Sequence, residues 1–457
     1  MRPSRQFKTI PGSICAPRGF ECAAIFCDIK RIGTGKGSEK GQKRDLALIV
    51  SDVPAAVAGM FTSNQVCAAP VKLSAKRAAG KSARAIVVNS GNANACTGKQ
   101  GLRDAEAMAR TTALAVAALY ERRKNLVRAM VIDRRYRRVT ARDVLACSTG
   151  RIGVAMPMKN VERGIRKCAP LLTRSTSNAR QVAEAIMTSD TRRKEIAVEF
   201  KINKHTVRVG GICKGAGMIH PGMDRKLHAT MLAFITSDLA IESSLLKRAL
   251  QIAVEQSFNR ISVDGDMSTN DSVIMLANGL AENSKLETRN SKQIRIFQMA
   301  LNHVCIELAK MIVRDGEGVS RFITLRVRGA RNTRDAEVVA RSIANSSLVK
   351  TSWCGGDPNW GRILCALGYS KAKVDESIVD IGYARPGSRE ILFGFRRGRP
   401  TNVSLRKLAK ITSGKEFDVH VDLNLGRGHF MMYASDLTED YVAFNKGDVS
   451  DPTSLGG

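Results

Sequence analysis

A glycine-rich segment, Lys214 to Met223, precedes an Ala229–Thr230 peptide bond, and together they provide the parts of a self-processing enzyme. The glycines give the backbone the conformational freedom that an internal cleavage requires. If the chain is cut before Thr230, that residue gains a free α-amine with an ordinary pKa of about 7.7 to 8.0. This amine can take the proton of the threonine's own hydroxyl near neutral pH, so no histidine is needed as a base. The sequence therefore predicts an N-terminal threonine nucleophile.

Other catalytic and metal-binding schemes lack their signatures in this sequence. There is no GxSxG elbow and no HExxH motif, and the six histidines have no metal-ligand spacing. The acidic run Asp264–Asp271 lacks the glycine and the final glutamate of a calcium loop, so we interpret it as a hydrogen-bonded turn. The loop 33–41 is not a phosphate-binding Walker A loop, because Lys30 and Gly37 occupy positions that need other residues. We expect no metal and no cofactor.

The net charge of +31 favours contact with acidic partners, but its distribution argues against a specific nucleic-acid site. Basic clusters occur at 122–124, 134–138 and 396–399, and no RNA-binding motif accompanies them. Aromatic residues, which stack on bases, make up only 5% of the chain. We interpret the basic residues as solvated surface positions and predict no specific nucleic-acid partner.

Cysteine usage and hydropathy predict a cytoplasmic protein without a membrane anchor. The 11 cysteines are odd in number and form no CxxC pair, a pattern typical of reduced thiols. The longest strongly apolar runs, such as Met231–Ile235, are far shorter than the roughly 18 to 20 residues that span a bilayer. The basic N-terminus has no apolar region after it, so a secretory signal is not expected, whereas a transit peptide stays open.

Apolar periodicity predicts interleaved helices and strands, which favour a layered α/β (α+β) architecture of two domains or one two-part unit. Asn203 and Lys204 separate two strand patterns and predict a hairpin. The predicted strands are 46–50, 83–88, 195–202, 206–213, 272–277, 321–327 and 418–423, and the predicted helices are 103–120, 243–256 and 292–313.

Motifs along nearly the whole chain resemble the ornithine acetyltransferase family, the bifunctional glutamate and amino-acid N-acetyltransferases of arginine biosynthesis. Besides the processing region, the matching segments are Asp45–Asp52, Val88–Gly98, Ser148–Gly150, Ala185–Asp190, Val263–Asp266 with Ser268–Asp271, Met311–Gly318 and Gly356–Arg362. The resemblance implies a layered αββα-type sandwich of a self-processing N-terminal-nucleophile enzyme, with a second, smaller α/β region. It also implies cleavage into an α chain of residues 1–229 and a β chain of residues 230–457, which pair as a heterotetramer.

The resemblance assigns chemistry to individual positions. Thr230 would attack the acetyl carbonyl of N2-acetylornithine, release ornithine and pass the acetyl group to glutamate. Thr149 and Gly150 would stabilise the oxyanion, although Ser148–Gly150 alone reads as a simple turn. The resemblance leaves open whether acetyl-CoA also serves as a co-substrate.

Five further positions correspond to substrate contacts in the family, in addition to Thr230 itself. They are Thr188, Lys214, Glu317, Asn445 and Ser450. A lysine suits an amino-acid carboxylate and a glutamate suits an ammonium group, so we assign those roles to Lys214 and Glu317.

One departure from the family pattern lies beside the cleavage site, where Asp224–His228 is inserted before Ala229. We expect these polar residues to bulge outward, because loop extension changes stability little. The alternative is an uncut chain without the catalytic α-amine, which would leave a processing-deficient basic binding protein. A third reading is an N-terminal-nucleophile amidohydrolase or aminopeptidase that passes the acyl group to water. His220 and Gly222 also differ from the family's usual alanine and asparagine.

Cleavage before Thr230 makes a direct prediction about mass. Intact-mass spectrometry of the purified protein should show two chains, residues 1–229 and 230–457, the second with a free threonine N-terminus. A Thr230→Ala variant lacks the hydroxyl that attacks the bond and should stay whole. A single uncut chain in the unmodified protein would mean that the insert has disabled maturation.

Overall fold

The computed structural model describes residues 7–30, 43–126, 139–202, 204–221, 231–281 and 291–447. Its strands are β1 Phe7–Thr9, β2 Phe20–Ile25, β3 Leu46–Phe61, β4 Ser82–Asn92, β5 Val144–Arg151, β6 Lys194–Ile202, β7 His205–Lys214, β8 Leu232–Ser237, β9 Ile261–Ser262, β10 Ser272–Ala277, β11 Phe322–Ala330, β12 Asp380–Ala384, β13 Leu392–Arg396, β14 Arg399–Pro400, β15 Glu416–Asp422 and β16 Gly428–Ser435. Its helices are α1 Ala69–Ala78, α2 Gly98–Leu126, α3 Met158–Cys168, α4 Thr176–Ala185, α5 Ser243–Glu255, α6 Ser291–Arg314, α7 Thr333–Ala344, α8 Ser347–Cys354, α9 Trp360–Gly368, α10 Leu405–Thr412 and α11 Glu439–Asn445.

The predicted elements are all present, and several extend further than the sequence pattern indicated. The hairpin is confirmed, because β6 and β7 pair antiparallel from Ile202 opposite His205 to Lys194 opposite Cys213. The helix predicted over 103–120 runs from Gly98 to Leu126. The strand predicted over 46–50 continues to Phe61. The loop predicted at 33–41 lies outside the described residues.

The larger sheet has the order β1-β6-β7-β8-β10-β3-β4-β5, with β2 paired to β3. The 16-residue strand β3 joins its two halves: residues 46–51 pair with β2, and residues 56–61 pair with β10. The register with β4 shifts between Val50 and Ala55, where an irregularity lets the strand bend. Arg84 is buried at this bend and donates hydrogen bonds to the carbonyls of Ser51 and Asp52.

Three apolar clusters show how the layers stack. On one half of the sheet, α5 and α6 cover the outward residues of β6, β7, β8 and β10. On the other half, α2 and α3 cover the outward residues of β2 to β5, such as Leu48 and Val87. The remaining faces of both halves share one cluster that includes Ile49, Phe234 and Ile274. Helices, strands, strands and helices therefore follow one another, and the predicted layered α/β fold is confirmed.

The second sheet forms the smaller α/β region, in the order β14-β13-β12-β15-β11-β16-β9. Its core contains the fully buried Trp353 and Phe417 and is covered by α7, α8, α9 and α10. Phe322 and Tyr433 from this sheet join the cluster around α6. Helix α6 thus packs against both sheets.

Helix α6 is, among the described helices, the one long and apolar enough to cross a membrane by length and composition. Its Leu301, Val304 and Leu308 are fully buried in the cluster against β6 and β7. That packing is typical of a core helix in a globular domain.

The predicted division at residues 229 and 230 runs through the centre of the larger sheet. Strand β8 follows that bond, yet it lies between β7, which precedes the bond, and β10. Chains separated at this bond would share continuous backbone hydrogen bonding along β8. The division itself stays a prediction.

The hydrogen bonds from Arg84 to two carbonyls of β3 suggest a stability test. Replacing Arg84 by leucine removes the donors for two buried carbonyls and should lower the free energy of unfolding by about 2 to 3 kcal/mol. Lys81→Leu is the control. Lys81 is exposed just before β4, the strand that carries Arg84, and its replacement should change stability by less than about 0.5 kcal/mol. Urea unfolding would compare them, and equal shifts would contradict this role of Arg84.

Candidate active site

The beginning of β8 follows the predicted nucleophile in sequence. Ala229 and Thr230, with the insert 224–228, lie outside the described residues, but Thr230 is covalently bonded to Met231. Leu232 pairs with Lys214 on one side and with Ser272 on the other. The Ser272 N–H donates to the Met231 carbonyl over 2.7 Å, so the chain is held at the residue next to Thr230.

The two predicted oxyanion residues lie at the end of β5, where the sequence alone indicated a simple turn. Thr149 is half-buried, and Gly150 is exposed with φ of 130°, a conformation that favours glycine. A Cβ atom at Gly150 would lie 2.3 Å from the Gly91 carbonyl carbon. No other residue fits this position without moving β4, which explains the glycine by sterics alone.

The short segment 270–272 connects the end of β5 to the start of β8. The Asn270 side-chain amide donates to the Ser148 carbonyl over 2.8 Å and to the Ala93 carbonyl over 2.6 Å. Two residues later, Ser272 holds Met231 as described above. This one segment therefore anchors both Met231 and Ser148, the residue before Thr149.

Lys214 ends β7 directly opposite Leu232 and is almost completely buried. Its ammonium lies 3.9 Å from the Asp190 carboxylate. Thr188, which is exposed, is tied to the same carboxylate through its backbone N–H over 3.1 Å. The structure thus brings two of the predicted substrate contacts to one buried acid.

A second buried lysine completes this charged cluster. The Lys194 ammonium contacts Asp190 at 2.6 Å and Asp315 at 2.5 Å, and all three side chains are almost fully buried. Burial alone would raise the pKa of Asp190, but Lys214 and Lys194 outweigh it and lower that pKa to about 2. Burial alone would lower the pKa of Lys194, and its two carboxylate partners instead hold it above the usual value.

Glu317 and Asn445, distant in sequence, are in contact. The Asn445 side-chain amide donates to the Glu317 carboxylate over 3.0 Å. The Glu317 N–H donates to the Ala216 carbonyl, and a Cβ atom at Gly217 would lie 2.3 Å from the Glu317 carboxylate. Glu317 therefore covers the glycine-rich segment after Lys214, while Ser450 lies outside the described residues.

The acidic run holds the same glycine-rich segment from its other side. The Asp264 carboxylate accepts hydrogen bonds from the N–H groups of Met218, Ile219 and Asp266. Asp271 is fully buried, and burial raises the pKa of its carboxyl well above the usual value against the opposing effects of Thr62 and Lys214. In the described part of the chain, no group of three histidine, cysteine or acidic side chains is placed to hold a metal ion.

His220, one of the departures from the family pattern, packs against the smaller region. Its ring nitrogens lie 3.3 Å from the Arg341 guanidinium and 3.4 Å from the Asn345 amide. Burial, aided by Arg341, lowers the pKa of His220 to about 4, so the ring is neutral at physiological pH. The side chain therefore acts as a neutral packing contact.

The analysis of the sequence did not single out Asp190, Lys194 or Asp315 as site residues. Two of them stand inside matched motifs, Ala185–Asp190 and Met311–Gly318, and that was the available signal. Lys194 and Asp315 are 121 residues apart, so no local spacing indicates their contact.

The chain is similar to known proteins over most of its length. The ArgJ family model matches residues 30–447. An arginine biosynthesis bifunctional protein ArgJ from Symbiobacterium thermophilum is 42% identical over 95% of this chain and 98% of its own length. A glutamate N-acetyltransferase from Methanocaldococcus jannaschii is 41% identical over 96% of this chain and 98% of its own length.

Two solved structures were also matched. A chain of the ArgJ protein from Bacillus halodurans is 40% identical, covers 47% of this chain and 99% of its own length, and has a TM-score of 0.44. A chain of ornithine acetyltransferase from Mycobacterium tuberculosis, complexed with ornithine, is 32% identical, covers 48% of this chain and 100% of its own length, and has a TM-score of 0.39.

The buried position of Lys194 leads to a stability prediction. Lys194→Met leaves two buried carboxylates without their shared cation and should destabilise the fold by about 3 to 5 kcal/mol. Lys201→Met is the control on the same strand, since Lys201 is exposed and should change stability by less than about 0.5 kcal/mol. Thermal and urea unfolding would measure the stability of both variants. A Lys194→Met variant as stable as the unmodified protein would disprove the structural role of Lys194 between Asp190 and Asp315.

Proposed function

This chain belongs to the ArgJ family, and from that premise we propose that Thr230 carries an acetyl group from N2-acetylornithine to glutamate. The protein is an acetyltransferase of arginine biosynthesis, an ornithine acetyltransferase and glutamate N-acetyltransferase. The observation that supports Thr230 as the nucleophile is its bond to Met231, at the start of β8 beside Lys214 and the 270–272 segment.

The proposed reaction has two steps with one intermediate. In the first, the Thr230 α-amine takes the hydroxyl proton, and the hydroxyl oxygen attacks the acetyl carbonyl of N2-acetylornithine. The carbon–nitrogen bond breaks, ornithine leaves with the proton, and the acetyl group stays as an ester on Thr230. In the second, the amine of glutamate attacks the ester, which yields N-acetylglutamate and regenerates the hydroxyl.

Each step passes through a tetrahedral oxyanion, for which we propose the Thr149 hydroxyl and the Gly150 N–H as donors. Loss of one such donor typically lowers the rate by about 10²- to 10³-fold. The anchoring of Ser148 by Asn270 supports this assignment, because preorganised donors need no rearrangement during the reaction.

We assign the substrate carboxylate to Lys214 and a substrate ammonium to Glu317, with Thr188, Asn445 and Ser450 as further contacts. An ammonium beside a carboxylate forms a strong, charge-assisted hydrogen bond. Support comes from the position of Lys214 opposite Leu232 and from the contact between Asn445 and Glu317.

Several properties of the mature enzyme follow as proposals. Self-cleavage at Ala229–Thr230 yields α and β chains that stay paired through β8 and associate as a heterotetramer. We propose that the chemistry needs no cofactor and leave acetyl-CoA open as a second acetyl donor. We place the enzyme in the cytoplasm. In the described part of the chain the cysteines form no disulfides, which agrees with a reducing compartment.

Two alternatives from the sequence are less well supported. The chain is 41% identical to a glutamate N-acetyltransferase over 96% of its length, which favours acetyl transfer to an amino acid over transfer to water. Membership of an enzyme family likewise argues against a noncatalytic basic binding protein.

Labelled acetyl exchange tests the proposed function. Acetyl label should pass from N2-acetylornithine to glutamate with the unmodified protein and not with Thr230→Ala. Thr149→Val should keep cleavage measurable and lower kcat by about 10²- to 10³-fold, because one oxyanion donor is lost. Thr351→Val, at an exposed threonine of α8, is the matched control and should leave kcat unchanged. Release of free acetate without labelled acetylglutamate would favour the amidohydrolase instead.

A further inference from the structure

We propose that Asp190 is a positioning residue, which holds Lys214 ready for a substrate carboxylate and couples it, through Lys194 and Asp315, to Glu317. This inference rests on the proposed function, since it takes Lys214 and Glu317 as contacts of amino-acid substrates. Asp190 does not contact substrate in this proposal; it acts on the residues that do.

The contacts of Asp190 all lead to that site. Its fully buried carboxylate accepts the N–H of Gly215 over 2.7 Å and the N–H of Thr188 over 3.1 Å. The same carboxylate faces the ammonium groups of Lys194 and Lys214. One acid thus fixes the backbone immediately after Lys214, the backbone at Thr188 and the charge of Lys214 itself.

The two buried lysines are held differently, and the difference indicates their roles. Lys194 is 1% exposed and makes contacts of 2.6 and 2.5 Å to two carboxylates, so its donors are used within the protein. Lys214 is 3.9 Å from Asp190, which is too long for a hydrogen bond but close enough for charge attraction. Lys214 is therefore attracted to Asp190 without giving it a hydrogen-bond donor, and those donors can turn to a substrate carboxylate.

The coupling to Glu317 follows a closed ring of contacts. Lys194 joins Asp190 to Asp315, and Asp315 also accepts the N–H groups of Thr191 and Arg192. Two residues after Asp315 stands Glu317, whose N–H donates to the Ala216 carbonyl. Ala216 follows Gly215, which is bonded back to Asp190. Displacing Asp190 therefore loosens both ends of the proposed substrate site together.

The charge on Asp190 is needed for this role, and the structure maintains it. Lys214 and Lys194 outweigh the effect of burial on its pKa, so the carboxyl stays ionised at neutral pH. An asparagine at this position keeps the size and one acceptor for Gly215 but loses the charge. Its amide group also faces two ammonium groups with a donor.

Steady-state kinetics of Asp190→Asn in the full, self-processed enzyme test the proposal. We expect KM for N2-acetylornithine and for glutamate to rise about tenfold, with kcat within a factor of about three, because substrate binding and not the chemical step loses its geometry. A purely structural role would lower the fraction of active enzyme, and so the apparent kcat, and leave KM unchanged. That result would overturn the proposal.

A matched control separates this effect from the loss of any buried carboxylate. Asp238 is also buried and accepts two backbone N–H groups, from Arg18 and Arg208, but it follows the far end of β8. Asp238→Asn should leave both KM values unchanged even if it lowers stability. An equal rise of KM in Asp238→Asn would contradict a specific role for Asp190.

A double-mutant cycle tests whether Asp190 acts through Lys214. Lys214→Met should raise KM by itself, and adding Asp190→Asn should then raise KM by a smaller factor than Asp190→Asn does alone, because coupled residues are not additive. Fully additive effects would overturn the coupling. If Asp190→Asn does not fold or is not cut, Lys194→Arg makes the same test from the other side of the carboxylate. It keeps the charge but shifts Asp190, and an unchanged KM would again overturn the proposal.

The outcomes distinguish this inference from the function beneath it. If the unmodified protein performs acetyl exchange and Asp190→Asn keeps its KM, the inference alone fails. If the unmodified, cleaved protein shows no exchange, the proposed function and the inference fall together.

Discussion

The pairing of β8 with strands on both sides is the constraint on which the site depends. Leu232 is hydrogen-bonded in register with Lys214 on one side and Ser272 on the other. Backbone ladders of this kind leave little freedom along the strand, so Met231 and Leu232 are held in register. The hydrogen bond from Asn270 to the Ser148 carbonyl links the end of β5 to the same segment that holds Met231.

The second organising principle is a cluster of buried charge beside that ladder. Asp190, Lys194 and Asp315 could not stay buried separately, because an unpaired ion loses far more hydration energy than the protein returns. Paired, they link the hairpin of β6 and β7 to the turn after α6. The buried charges thus fix the backbone of the glycine-rich segment, because Asp190 accepts the N–H of Gly215.

Much of the fold was predictable from sequence because its signals are local. A short continuous run of apolar residues indicated β10 over its full length, and Asn203 with Lys204 indicated the hairpin. The bend of β3 was missed, since it depends on Arg84 reaching carbonyls more than thirty residues away in sequence. The charged cluster was missed for the same reason: a lysine in a strand pattern reads as a solvated position until its distant acid is known. The family resemblance named Lys214, Glu317 and Asn445, and it could not indicate what holds them.

The central position of β8 in the larger sheet has a consequence for the order of folding and cleavage. If the chain is cut before Thr230, the two pieces contribute alternating strands to one sheet, and we expect that sheet to form while the chain is still continuous. After the cut, refolding would be a bimolecular reaction and would depend on protein concentration. If the chain is cut there, we expect the uncut precursor to be the species that folds, and the mature enzyme would then depend on slow unfolding for its stability.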